Sequence, residues 1–306
     1  MDDHERDLGA TTAGVWTTGA ARAAGLTRAQ VRRRIEQGEW QVVRRGVYAD
    51  GGVVPGALMR ASAAVQRAGH DAVAAGRTAL RVWGVPLVDD EDPATGRLER
   101  PHDDVAVAHG RGAGPTLHPC ELRIPSYDIR VVSGVRVLSP VAALVDGARV
   151  LRPDALVAAI DSALFRGAVT LDELQQALVG RRGWPGAPAL RTAIALCDPR
   201  AESPHETLTR LVVRPHLPGL ESQVQVFDRR GELLARLDLG ERALRLGVES
   251  DGGAYHRGTA ARDRARDART GWTVERVSWF ETRRRPAQLV ARVLRTAERL
   301  GREQAA

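Results

Sequence analysis

The sequence predicts a mixed α/β protein that is built from more than one domain. Its 306 residues are enough for two or three domains, and 43% of them are hydrophobic, as in chains that form buried cores. A helix-rich and arginine-rich segment comes first, and a strand-rich segment comes last. We therefore expect an N-terminal domain at 1–50, a mixed α/β middle domain at 57–200 and a C-terminal domain at 201–306, with the linker GGVVPG after the first.

The first domain is predicted from residues 14–49. Thr17 or Thr18 can cap a short helix, and Thr27 can cap a second one, on which Val31 and Ile35 lie one turn apart. Two strands joined by the turn Arg-Arg-Gly follow over residues 40–48. Two helices with a tight turn between them, followed by a hairpin, predict a winged helix-turn-helix.

Arginine supplies every basic residue of this chain. The sequence has a formal net charge of +7, and none of its 45 Lys and Arg residues is a lysine. We interpret most of that preference as codon bias, although arginine is also the better ligand for phosphate. In a winged helix the second helix normally enters the major groove of DNA, whereas the alternative is a plain exposed helix face. The arginines predicted to contact DNA from the second helix and the hairpin turn are Arg28, Arg32, Arg33, Arg34, Arg44 and Arg45.

The middle region mixes helices and strands. The predicted helices are 58–68, 70–83, 139–150, 153–165 and one from Thr170, and the predicted strands are 105–108, 117–124 and 129–137. From Glu202 onward the pattern changes to helix, three strands, helix, strand and helix. That order predicts a central mixed sheet flanked by helices.

Three carboxylates stand at the ends of two neighbouring strands in this last region. Asp238 ends the strand LLARLDL, while Glu249 and Asp251 end the next strand and point to one face of it. Since neighbouring strands lie about 4.8 Å apart, Asp238 and Glu249 can share one hard divalent ion such as Mg²⁺ or Mn²⁺. Such an ion can polarise a phosphate and activate a water molecule. Glu206, on the preceding helix, is a further candidate ligand or base, and the alternative is a solvated acidic strand end.

Five blocks in this region resemble a widespread family that is similar to the very-short-patch mismatch-repair endonuclease, within the PD-(D/E)xK nuclease superfamily. The blocks are ESPHETLTR, RLDL, VESDGGAYH, RDRARD and GWTVERVSW, over residues 202–279. The resemblance implies a restriction-endonuclease-like fold and metal-dependent cleavage of DNA. It implies catalytic roles for Glu206, Asp238, Glu249, Asp251 and His256, with Asp238 and Glu249 as the metal ligands. Asp251 stands where many members of the superfamily carry lysine.

The N-terminal segment GVWTTGAARAAGL…VRRRIEQGEW…RRGVYA resembles the winged helix of AbiEi-type antitoxins. That resemblance implies binding to promoter DNA, repression of the protein's own operon and a toxin or operon partner protein. Near the C-terminus, Arg262 and Arg266 lie on a second arginine-rich segment, which we expect either to contact phosphates or to form a solvated face with local ion pairs.

Three hypotheses follow from these features. The first is a Mg²⁺-dependent DNA endonuclease behind a DNA-binding winged helix. The second is an AbiEi-like regulator whose C-terminal nuclease fold is inactive, and the third is an interaction module of a defence or repair system. Two distant cysteines, an acidic N-terminus without an apolar core and the lack of an apolar run of about 18 residues lead us to expect a cytoplasmic protein without a membrane span.

Overall fold

The computed structural model describes residues 12–69, 71–88, 103–107, 117–121, 128–179, 183–251 and 269–305. The chain divides into two compact units. The first comprises Met1–Leu87, Arg100–Arg152 and Ala168–Arg191, and the second comprises Val88–Glu99, Pro153–Gly167 and Thr192–Ala306. The three predicted domain boundaries stay a prediction. Within the described residues, no helix combines the length and the apolar character that crossing a bilayer requires.

The first unit begins with a winged helix-turn-helix, as predicted. Its elements are β1 (Trp16–Thr17), α1 (Thr18–Ala23), α2 (Arg28–Glu36), β2 (Trp40–Arg44) and β3 (Val47–Asp50). The three strands form one sheet in the order β1-β3-β2. Thr17 caps α1, and Thr27 forms a reciprocal capping box with Gln30 at the start of α2, so both helices begin where the threonines predicted.

Aromatic stacking holds the wing to the helices. The rings of Trp16 and Trp40 stack with centroids 5.4 Å apart, and Trp40 stacks in turn on Tyr48 at 5.8 Å. Ala21 of α1 and Val31 of α2 are buried against this stack. Because all three rings come from the strands, the hairpin and the two helices share one small core, which fixes the outward face of α2.

The rest of the first unit surrounds a five-stranded sheet with the order β6-β5-β4-β8-β7. Its strands are β4 (Val73–Ala74), β5 (Asp103–Val107), β6 (Leu117–Glu121), β7 (Ile129–Val132) and β8 (Val135–Leu138). The helices of this part are α3 (Ala57–Ala68), α4 (Gly76–Val82), α5 (Pro140–Gly147) and α7 (Leu171–Leu178). The single strand predicted at 129–137 is a hairpin, since Ser133 and Gly134 both take positive φ and turn the chain.

The second unit contains a four-stranded mixed sheet with the order β12-β11-β10-β9. Its strands are β9 (Glu221–Phe227), β10 (Leu233–Glu241), β11 (Leu246–Asp251) and β12 (Thr273–Ser278). All neighbours are antiparallel except β11 and β12, which are parallel. The remaining α-helices among the described residues are α6 (Pro153–Phe165), α8 (Ala187–Leu196), α9 (Pro204–Val213), α10 (Trp279–Arg284) and α11 (Pro286–Ala305).

Two hydrophobic clusters belong to this sheet. Leu239, Val248 and Val277 pack with Leu289 and Val293 of α11 in one cluster. The other cluster contains Val224, Val226, Ala235 and Leu237 together with the partly buried Trp272 and Val274. The predicted mixed sheet with packed helices is therefore confirmed.

A buried ion pair joins α6 to α9. Arg210 donates from Nη2 to Oδ2 of Asp161 at 2.8 Å, and both side chains are almost fully buried. Asp161 also accepts from the hydroxyl of Thr207 at 2.8 Å and from the backbone N–H of Asp198 at 2.7 Å. The sequence assigned α6 to the middle region, whereas this network binds it to the first helix of the C-terminal region.

Candidate functional site

Strand register aligns four polar side chains across the second sheet. Leu239 pairs with Val248, so Asp238 and Glu249 are the next opposed positions of β10 and β11. On its other side, β10 pairs with Val224 and with Ser222 of β9. Gln223 lies between these two residues of β9 and therefore opposite Asp238. Glu249 also pairs with Arg276 of β12. Because opposed residues on neighbouring strands have Cβ atoms roughly 5 Å apart, Asp238 lies between Gln223 and Glu249.

Asp238 is largely buried within this row of four side chains, which consists of Gln223, Asp238, Glu249 and Arg276. Its Oδ2 accepts the backbone N–H of Ser250 at 2.8 Å. Burial raises the pKa of Asp238 from 3.8 to about 7, and the charges of Glu206, Glu249 and Glu202 act in the same direction against that hydrogen bond. The charges of Glu206 and Glu249 act on Asp238, which agrees with the prediction from the sequence that these carboxylates lie near one another.

Glu206 is held in the first turn of α9, above the row. It is 8% exposed. Its carboxylate accepts from the Ser203 hydroxyl at 2.8 Å, from the Glu202 N–H at 3.0 Å and from Nε2 of Gln223 at 2.9 Å. Three donors therefore fix this carboxylate, which suits a group that orients its neighbours and adds negative charge.

Glu249 and Asp251 lie further along β11. Glu249 Oε2 is 3.5 Å from Nη2 of Arg276, and its side chain is 17% exposed. Asp251 is partly buried and pairs in register with Ser278, where β12 ends and α10 begins. The other predicted catalytic residue, His256, lies outside the described residues, as do Arg262 and Arg266.

A chain of buried hydroxyls, which sequence reasoning did not find, links this row to a second histidine. Ser250 Oγ donates to Thr209 Oγ1 at 3.4 Å, and Thr209 Oγ1 lies 3.1 Å from Thr282 Oγ1. Thr282 Oγ1 in turn lies 3.2 Å from Nε2 of His205. Burial lowers the pKa of His205, although its contact with Ser278 and the charge of Asp251 act in the opposite direction. The only sequence signal was the spacing of His205 and Thr209, four residues apart on one helix face.

A divalent ion such as Mg²⁺ needs oxygen ligands, which the carboxylates of the second sheet can supply. Among the described residues, no three His, Cys, Asp or Glu side chains converge as a ready-made metal cluster. Mg²⁺, however, is often bound by only one or two carboxylates and keeps several waters. Asp238 and Glu249 are opposed on adjacent strands and supply two carboxylates for such an ion. Burial is the main cause of the raised pKa of Asp238, the neighbouring carboxylates add to it, and a bound cation would lower that pKa.

The predicted DNA-contacting arginines of the winged helix separate into two groups. Arg34 donates to Glu39 at 3.0 Å and stacks over the Trp40 ring, while Arg44 is paired with Asp103. These two side chains therefore have intramolecular partners that hold them to the fold. The exposed members of the predicted set are Arg28, Arg32, Arg33 and Arg45.

A groove of about 900 Å³ lies beside these exposed arginines, between α1 and α2. Arg22, Arg28 and Arg32 line it together with Glu36. The groove walls therefore carry three positive charges and one negative charge, next to the face of α2 that faces solvent.

Comparison with known proteins gives two kinds of match. Residues 10–49 match the family model described as "Transcriptional regulator, AbiEi antitoxin". Over 280 residues the chain is 30% identical to "Uncharacterized protein MT2308" of Mycobacterium tuberculosis strain CDC 1551 / Oshkosh, covering 90% of this chain and 98% of that protein. "Uncharacterized protein Rv2248" of Mycobacterium tuberculosis strain ATCC 25618 / H37Rv matches with the same identity and coverage. The chain belongs to the family of these two mycobacterial proteins.

Membership of this mycobacterial family concerns nearly the whole chain. A shared stretch that covers 90% of it must include residues of both compact units. The AbiEi match is local and covers α1, α2 and nearly all of the wing. The predicted resemblance of the N-terminal segment to AbiEi-type antitoxins is thereby confirmed, and the nuclease resemblance of the second unit stays a prediction.

Proposed function

We propose that this protein is a DNA-binding transcriptional regulator that recognises duplex DNA through α2 and the wing. The observation that supports this most is the exposure of Arg28, Arg32 and Arg33 on one short helix, whose outward face the aromatic core fixes. Guanidinium groups on such a helix can bind phosphates and the edges of guanine in the major groove. Arg45 is exposed in the turn of the wing and can reach the adjacent phosphate backbone of the DNA.

The proposal assigns different roles to arginines that lie close together in sequence. Arg32 contacts DNA, whereas Arg34 and Arg44 stabilise the fold through Glu39, Trp40 and Asp103. An operon partner such as a toxin belongs to the same proposal, because the matched family is described as an antitoxin. Co-expression with the products of neighbouring genes, followed by co-purification, tests for that partner.

Fluorescence anisotropy with duplex DNA from the protein's own promoter tests DNA binding. We expect Arg32→Ala to weaken binding by roughly five- to tenfold, about 1–1.4 kcal/mol for one charged contact. Arg191→Ala, which removes an exposed arginine from α8, is the matched control and should bind as the unmodified protein does. If the two variants bind DNA with equal affinity, the proposal that α2 forms the DNA interface is wrong.

A second candidate function is hydrolysis of phosphodiester bonds in the second unit with Mg²⁺ or Mn²⁺. It is supported by the alignment of Asp238 with Glu249 and by the raised pKa of Asp238. When bound, the ion would supply Lewis acidity and an activated water. Asp238 and Glu249 would hold the ion, Glu206 would orient Gln223, and the guanidinium of Arg276 would lie near a phosphate bound at the row.

A plasmid-nicking assay separates the two candidate functions. Cleavage that needs Mg²⁺ or Mn²⁺ and is lost in Asp238→Asn and Glu249→Gln, but kept in Glu232→Gln, would support the nuclease. Glu232 is exposed in the β9–β10 hairpin loop and supplies the matched control. DNA binding without cleavage of any DNA form, with either metal, would leave a regulator that carries an inactive nuclease fold.

A further inference from the structure

Gln223 has an unusual backbone conformation in the middle of a strand. It takes φ = +56°, in the left-handed region, inside β9. Residues with a side chain, apart from Asn and Asp, rarely adopt that region, because Cβ crowds the following carbonyl. Such conformations persist where the surrounding structure imposes them, and they occur frequently at functional sites. The position of Gln223 opposite Asp238 therefore calls for a functional explanation.

The two ends of the Gln223 amide are used unequally. Nε2 donates to Oε2 of Glu206 at 2.9 Å. Oε1 is buried and has no hydrogen-bond partner among the described residues. A side chain that served only to hold Glu206 would need the NH₂ group alone. The buried carbonyl oxygen is the part of this residue without a structural role, and buried acceptors are seldom left unpaired.

The chemistry of that oxygen matches the proposed metal site. Side-chain amide oxygens belong to the ligand set of hard divalent cations, together with carboxylates and water. The strand register places Gln223 opposite Asp238 on one side, and Glu249 opposite Asp238 on the other. We propose that Oε1 of Gln223 is a third oxygen ligand of the divalent ion held by Asp238 and Glu249. This inference rests on the proposed hydrolytic function, because it places a ligand in the site of that reaction.

Isothermal titration calorimetry of the full chain with Mn²⁺ measures metal binding and so tests the proposal without any activity measurement. We expect Gln223→Leu to weaken Mn²⁺ binding at least tenfold. Gln225→Leu makes the same substitution at an exposed position of the same strand and should leave binding unchanged. Asp238→Asn should weaken binding as well, which shows that the titration reports on this site. If the unmodified chain binds no Mn²⁺, or Asp238→Asn binds it normally, both the inference and the hydrolytic function are overturned.

Gln223→Glu separates a ligand from a residue that only positions Glu206. Glutamate keeps an oxygen at the site but loses the NH₂ donor to Glu206. We expect it to recover most of the Mn²⁺ affinity that Gln223→Leu loses. If Gln223→Glu binds Mn²⁺ as weakly as Gln223→Leu, or if Gln223→Leu binds it normally while Asp238→Asn does not, the inference alone fails and the metal site remains.

Gln223→Gly guards against misfolding of the leucine variant. Glycine adopts positive φ readily, so this variant keeps the backbone of β9 while it removes the whole side chain. We expect the same loss of Mn²⁺ affinity, with a circular dichroism spectrum like that of the unmodified chain. A glycine variant that binds Mn²⁺ normally would overturn the inference.

Discussion

Replacing Asp238 with asparagine should make the metal-free protein more stable at alkaline pH. Asparagine keeps an oxygen that can accept the Ser250 N–H, but it removes the buried negative charge beside Glu206 and Glu249. The pKa of Asp238 is raised from 3.8 to about 7. The folded protein therefore binds this proton more tightly than the unfolded chain does, and the free energy of unfolding falls as pH rises between those two values.

The magnitude follows from the difference between the two pKa values. At about 1.4 kcal/mol per pH unit, the raised pKa of Asp238 costs about 4 kcal/mol of folding stability at pH 8 and about 2 kcal/mol at pH 5, relative to acid pH, where this carboxyl is protonated in both the folded and the unfolded chain. The figure for pH 8 is an upper value, because relaxation around the charge reduces it. Asp238→Asn removes this cost, so its advantage over the unmodified protein should be larger at pH 8 than at pH 5.

Urea unfolding in EDTA, followed by circular dichroism at both pH values, measures this difference. Glu232→Gln provides the control, since it removes an exposed carboxylate from the loop that joins β9 to β10. That control should change the free energy of unfolding by no more than about 0.5 kcal/mol at either pH. An Asp238→Asn variant that is less stable than the unmodified protein at pH 8, or equally affected at both pH values, would refute the reasoning.

Three other predictions concern the fold and the arginines. Asp161→Ala should lower the free energy of unfolding by about 3–5 kcal/mol in a urea titration, because it leaves Arg210 buried without its carboxylate. Thr27→Ala removes the cap of α2 and should lower the stability of the folded protein by about 1 kcal/mol in the same titration. Arg44→Ala should leave the buried Asp103 with only the more distant Arg81, 3.9 Å away, and so reduce the melting temperature in calorimetry, while changing DNA affinity less than Arg32→Ala does in anisotropy.

Local patterns predicted the elements best where chain neighbours determine them. The caps of α1 and α2 depend on side chains three residues away, and each of these helices follows a threonine that was predicted as its cap. The order of strands and helices after Glu202 gave the mixed sheet for a similar reason, since each strand has its own apolar pattern. Residues 129–137 were misread because the turn at Ser133 interrupts a continuous apolar pattern.

Contacts between side chains that lie far apart in the sequence could not be predicted from the pattern of residue types. The spacing of the strands predicted that Asp238 and Glu249 would meet, but it gave no sign that Arg276 pairs with Glu249. The same limit applies to Arg44, since its ion pair with Asp103 could not be predicted from the sequence. Gln223 could not be identified as a site residue either, since neither its positive φ nor its unpaired oxygen leaves a trace in the sequence.

The salt dependence of DNA binding tests the central claim most directly. Each phosphate neutralised by an arginine contributes about −0.9 to the slope of log affinity against log salt concentration. If the exposed arginines of α2 contact phosphates, replacing Arg28, Arg32 and Arg33 together with alanine should make that slope shallower by up to about 2.7 and weaken binding strongly at low salt. An unchanged slope and affinity in this triple variant, with its fold intact, would contradict the proposal that α2 is the DNA-binding surface.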